Sequence, residues 1–133
     1  MKVFTLLQMG LIFFLSTISC SGPQISIEEE NVLSALSNIQ QSLENNVSYE
    51  AFIELVDQVK TDIDMLKRNG NNNMCFLGAV DKCYAFYHTA GKAWRQKMDT
   101  MDEVRKNDMD LTLSVLQSRA ALSIQFASSC YKD

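Results

Sequence analysis

The segment that decides the fold is Leu77–Met101, LGAVDKCYAFYHTAGKAWRQKMDTM. Apolar or small residues return at Leu77, Val80, Tyr84, Tyr87, Gly91, Trp94, Met98 and Met101, in alternating steps of three and four. Only a helix gathers residues at that spacing onto one side. A second line runs beside the first through Ala79, Cys83, Phe86, Ala90 and Ala93. The two lines together cover roughly half of the helix surface in its first part, so the helix needs neighbours on more than one side. The other helical segments are expected to pack around it.

Upstream, Ser26 and Glu29 have the spacing of a capping box, and Glu28–Glu30 suits a helix N-terminus. Val32, Leu33, Leu36, Ile39 and Leu43 follow at helical spacing, predicting a first helix over about 26–44. Asn45-Asn46 ends it. A second stripe of Phe52, Leu55, Val56, Val59, Ile63 and Leu66 predicts a helix over about 49–68. Lys67 and Arg68 suit its last turn and Gly70 the position beyond. The third helix is expected over about 74–104, because Arg105 stands where the next apolar residue is due. Lys106-Asn107-Asp108 then reads as the connection to a fourth helix over about 109–130. That helix carries two apolar lines, Met109, Leu113, Leu116, Ala120, Ala127 and Cys130, and Leu111, Val115, Leu122 and Phe126. Four segments with short connections predict an all-α, disulfide-stabilised, up-down-up-down four-helix bundle. The third helix is the longest, and an overhang at its end would offer Trp94, Met98 and Met101 to a protein partner or a second subunit.

The N-terminus has the pattern of a secretory signal peptide: Lys2, apolar runs over Val3–Leu7 and Met9–Leu15, then small and polar residues. Residues 1–19 are expected to be removed, leaving a single secreted helical domain over 20–133; cleavage after Ser21 is the alternative, and it discards Cys20. Loss of Lys2 with the leader leaves 11 basic against 16 acidic residues, a net charge of −5. That balance argues against a nucleic-acid surface and a basic membrane-binding face, and no stable membrane insertion of the mature chain is expected. One proline and five glycines disfavour a sandwich or a loop-rich fold. Asn46-Val47-Ser48 is a glycosylation sequon at an expected corner, where Ser48 also suits a helix cap.

Four cysteines in an exported chain suggest two bridges. Cys75 and Cys83, eight residues apart on one helix, are separated by about 12 Å along its axis and cannot pair with each other. Reflecting Cys130 through a connection centred near residue 106 reaches about residue 83, which favours Cys83–Cys130 and, by its position before the first helix, Cys20–Cys75. Cys75–Cys130 with Cys20–Cys83 is the next pairing.

The residues give little sign of catalysis. His88 is the one histidine, with no carboxylate placed to orient it. No motif activates a serine, aspartate or cysteine as a nucleophile, and no Cys-x-x-Cys or zinc spacing occurs. Asp99 and Asp102 share a helix face but read as part of a solvated, ion-paired surface. No cofactor or metal is expected. The leading expectation is a secreted, non-catalytic protein acting by protein–protein interaction or signalling, its partner an extracellular protein or a second copy of itself. The alternative is a carrier of a small apolar ligand, in a cavity between helices lined by Phe76, Tyr84 and Tyr87.

Overall fold

A computed structural model describes residues 24–131. It is all-helical, with α1 at Ile27–Glu44, α2 at Tyr49–Arg68, α3 at Met74–Asp99 and α4 at Glu103–Ser129. No strand occurs among the described residues. The expected leader and Cys20 lie outside them.

Each helix begins on a side chain that satisfies amides the helix itself leaves open. Ser26 caps α1 in a full capping box with Glu29, and the Glu29 carboxylate accepts from the Ser26 amide at 2.8 Å. Ser48 caps α2, accepting from the Ala51 amide at 3.2 Å. Asn73 caps α3 through the Phe76 amide. Asp102 caps α4, accepting from the amides of Val104 and Arg105. The turn between α1 and α2 places Asn46 in the left-handed region, at φ 57°, which asparagine tolerates better than most side chains.

The α3–α4 boundary differs from the sequence expectation. α3 stops at Asp99, the link is Thr100–Asp102, and α4 already starts at Glu103. Thr100 is extended and Asp102 supplies the cap. This local chemistry outweighs the weak helix-breaking tendency of Asn107 and Asp108, which sit exposed within α4. The disulfide changes with the boundary. Cys75 bonds to Cys130, with Cα atoms 5.9 Å apart, so neither Cys83–Cys130 nor Cys20–Cys75 forms. Reflection through the true link, near residue 101, carries Cys130 to about residue 72, within a turn of Cys75 rather than Cys83. Cys83 is fully buried and bonded to no described cysteine; its thiol donates to the Ala120 carbonyl, with Sγ and O 3.4 Å apart.

α3 is the inner helix. It packs on α4, α2 and α1, whereas α2 and α4 do not touch among the described residues. Its second line, with Cys75 at one end and Lys97 at the other, faces α4. Contacts pair Cys75 with Cys130, Cys83 with Ala120, and Lys97 with Asp110, so α4 runs antiparallel to α3. Buried Ala79, Cys83, Ala90 and Ala93 on α3 and Ala120 and Ala127 on α4 allow close approach of the backbones. On the α2 side, Phe52 meets Tyr87 edge-on at 6.3 Å and Trp94 at 5.5 Å, and Lys67 pairs with Asp81 at 2.7 Å. Val32, Leu36 and Ile39 of α1 complete the core.

α3 and α4 have 26 and 27 residues, against 18 and 20 for α1 and α2. That is about 40 Å for the longer pair and about 30 Å for the shorter. Tyr49, the first residue of α2, lies edge-on to Trp94, so the end of α3 and the start of α4 project past the other helices. No residue between Ala93 and Ala120 is buried.

Candidate functional site

The three aromatics proposed as a ligand lining do not converge. Phe76 and Tyr87 are fully buried and stand about 16 Å apart along α3. Phe76 packs on Tyr131, with ring centroids 5.8 Å apart, and Tyr87 on Phe52. Tyr84 is half-buried, stacked on His88 at 5.6 Å with the Lys60 ammonium 5.9 Å from its ring centroid. A groove of about 240 Å³ between α1 and α4 reaches Tyr87 and is lined by Gln40, Leu43, Glu44, Gln117, Ser118 and Ala121. Among the described residues, the Tyr87 hydroxyl has no hydrogen-bond partner. Burial, with smaller contributions from Cys83 and Glu44, pushes its pKa well above the ordinary phenol range. The mixed polar lining gives this groove the character of a solvated seam rather than an apolar carrier cavity.

Chemistry is sparse elsewhere. Among the described residues no three His, Cys, Asp or Glu side chains are grouped to hold a metal. Asp99 pairs with Arg95 at 3.2 Å, and Asp102 is occupied as the α4 cap. Burial pushes the Cys83 thiol up to about 12, the opposite of what a nucleophilic cysteine needs. His88 is exposed on α3.

Of the three residues proposed for protein contact, Trp94 is partly withdrawn into the core between Tyr49 and Phe52. Met98 and Met101 are 51% and 96% exposed at the projecting tip. Asn46 is exposed at its turn.

A line of exposed apolar side chains lies on α4. Val104, Leu111, Val115, Leu122 and Phe126 are exposed by 71, 68, 44, 63 and 59%. At 100° per residue they fall within an arc of about 60°, nearly opposite the line of Leu113, Leu116, Ala120 and Ala127 that meets the core. α4 is therefore apolar on two faces, one covered and one open. Periodicity alone merges the two lines into one wide arc, and assigning Val104 to α3 hides the outer line's first member. The signal was available in the spacing: Val104–Val115, Leu111–Leu122 and Val115–Phe126 are each eleven residues apart, close to three full turns.

Among the described residues, no helix is long and apolar enough to cross a membrane. Comparison with known proteins yields no match: no family model fits the chain, and no curated protein or solved structure aligns with it.

Proposed function

We propose that this chain is a secreted, non-catalytic protein, an up-down-up-down four-helix bundle that acts by contact with another protein through the outer face of α4 and the adjoining α3–α4 tip. The observation that carries the reading is the line of five exposed apolar side chains along α4. A solvated protein seldom leaves an apolar surface of that extent unused. Export is supported by the leader pattern of residues 1–19 and by the Cys75–Cys130 bridge, which suits an oxidising compartment. The exposed turn at Asn46 is open to a glycan, and Ser48 can serve the sequon while capping α2. The carrier alternative has less support, because Phe76 and Tyr87 are committed to packing.

Expression of the full chain in a secretory host, followed by native mass spectrometry of the medium, tests the reading. The expected species lacks the leader, has Cys75 and Cys130 bridged, carries a glycan on Asn46 and retains no small apolar molecule. A retained lipid-sized mass would favour the carrier. A protein kept in the cytosol with both cysteines reduced would overturn export and the proposed role with it.

A further inference from the structure

The outer face of α4 has the geometry of a surface that can pair with itself. Val104 and Phe126 stand at equal distances on either side of Val115. If two α4 helices lie antiparallel across a twofold axis at Val115, each small Val104 meets the large Phe126 of the second copy, and Val115 meets its own counterpart. Within about 60° of the stripe's centre the charged residues are Asp108 and Arg119, of opposite sign. Neither forms an ion pair among the described residues. Both lie on the same side of the stripe, and a twofold axis perpendicular to the helices brings like sides together. Asp108 then lies about 4.5 Å along the axis from the level of Arg119 of the second copy, within reach of that long side chain, and the pair occurs twice. Parallel pairing would instead set each charged side against the other's uncharged side, with Ser118 and Gln125, and leave both charges unmatched.

The area is sufficient. The five side chains expose roughly 500 Å² of apolar surface per chain. With their polar flanks, two copies would bury about 1,200 Å², the lower end of a specific interface. The face runs the length of α4 on the side away from its α3 contacts, and its first half lies on the projecting tip, past the ends of α1 and α2. We propose that two copies of this chain associate through the outer faces of α4, antiparallel about Val115, with reciprocal Asp108–Arg119 ion pairs. The proposal rests on the reading of α4 as a protein-contact surface and narrows the partner to a second copy.

Sedimentation of the exported, oxidised protein from about 1 to about 200 µM tests it. A concentration-dependent dimer is expected. Leu122→Asp should leave a monomer with unchanged helix content and, at dilutions where the parent is monomeric too, an unchanged melting midpoint, because Leu122 is exposed in the single chain. Asp108→Arg and Arg119→Asp should each weaken the dimer about tenfold or more, and the two together should restore it. Val115→Cys should form a disulfide between copies. A monomer throughout the range, or a dimer indifferent to Leu122→Asp, would overturn the proposal. Failure of the double charge exchange to restore the dimer would overturn the antiparallel register. An uncleaved full chain that sediments as a monomer, with α4 amides that lose protection once residues 1–19 are removed, would make that segment the occupant and overturn the dimer. If the protein is still exported with Cys75–Cys130 closed, a monomeric result removes the dimer alone; reduced protein held in the cytosol removes the underlying reading instead.

Discussion

Glu29 carries two duties on one carboxylate. One oxygen accepts from the Ser26 amide at 2.8 Å, and the other from the Asn71 side chain at 2.7 Å. The first bond completes the α1 cap; the second ties α1 to the loop before α3. Burial opposes ionisation of this side chain, but the hydrogen bonds prevail and its pKa lies below the ordinary 4.5. The Tyr131 hydroxyl approaches the same carboxylate without meeting hydrogen-bond geometry. A carboxyl with a lowered folded-state pKa adds stability above its unfolded value and loses it as the pH falls through the folded one. Denaturant titrations should therefore show stability declining below about pH 4.5. Glu29→Ala should cost about 1–2 kcal/mol at neutral pH and flatten that acid-side decline; an unchanged decline would place its cause elsewhere. Cys83 makes the complementary case. Its thiol is buried, held near the Ala120 carbonyl and pushed up to about 12, so an alkylating reagent at pH 8 should modify it only as the protein unfolds. Labelling of Cys83 in the native protein at the rate of an exposed thiol would contradict this packing.

At the scale of the helices, what was legible depended on local chemistry. Ser26, Ser48 and Asn73 mark the starts of α1, α2 and α3 within a residue or so, because a cap needs only one side chain and the amides beside it. The α3–α4 link was misplaced because Asp102 looks like one more acidic residue on a helix face, while Asn107 and Asp108 look like a turn. Since a hairpin's register is counted from its turn, that shift sent Cys130 to Cys83 instead of Cys75. Burial of the first part of α3 followed from its two apolar lines, whereas the open face of α4 did not, since spacing cannot say which of two apolar faces meets the core. The glycines of α3 test the packing. A Cβ on exposed Gly78 meets nothing within 4 Å, so Gly78→Ala should raise stability by about 0.5–1 kcal/mol through helix propensity alone. A Cβ on Gly91 would lie 2.7 Å from Ile53 Cδ1 and 3.5 Å from Phe52 Cε1. The Ile53 terminus can rotate away, so Gly91→Ala should change stability by less than about 1 kcal/mol. Gly91→Leu has no such escape and should cost about 1–3 kcal/mol. Equal thermal midpoints for Gly91→Leu and the parent would mean that α2 and α3 are not closely packed there.

Across the whole molecule, the large buried side chains are unevenly distributed, and α4 contributes the fewest. α1, α2 and α3 contribute the large buried side chains, Leu36, Ile39, Phe52, Ile63, Phe76 and Tyr87 among them, while α4 buries only Ala120, Ile124 and Ala127. α4 has no contact with α2, and its first half projects beyond the core. Two covalent ties compensate: the short Thr100–Asp102 link at one end and Cys75–Cys130 at the other, bridging residues 55 apart in sequence. A loop of that size is worth about 4 kcal/mol in the unfolded-chain entropy model, and about 2–4 kcal/mol is the usual measured range. The Cys75→Ala/Cys130→Ala double variant should lose stability in that range, and the loss should be local before it is global. Hydrogen exchange, measured dilute enough to keep the chain monomeric, should show the last turns of α4 and the first turn of α3 losing protection, with the α2 core around Val56, Val59 and Ile63 retaining its own. Uniform loss of protection across α1, α2 and α4 would mean that the four helices open as one unit, and that the bridge is not what keeps α4 in place. Selective opening would explain why a helix with so few large buried side chains stays docked along α3: the bridge and the link fix its ends, so its inner side chains need only be small enough to approach α3.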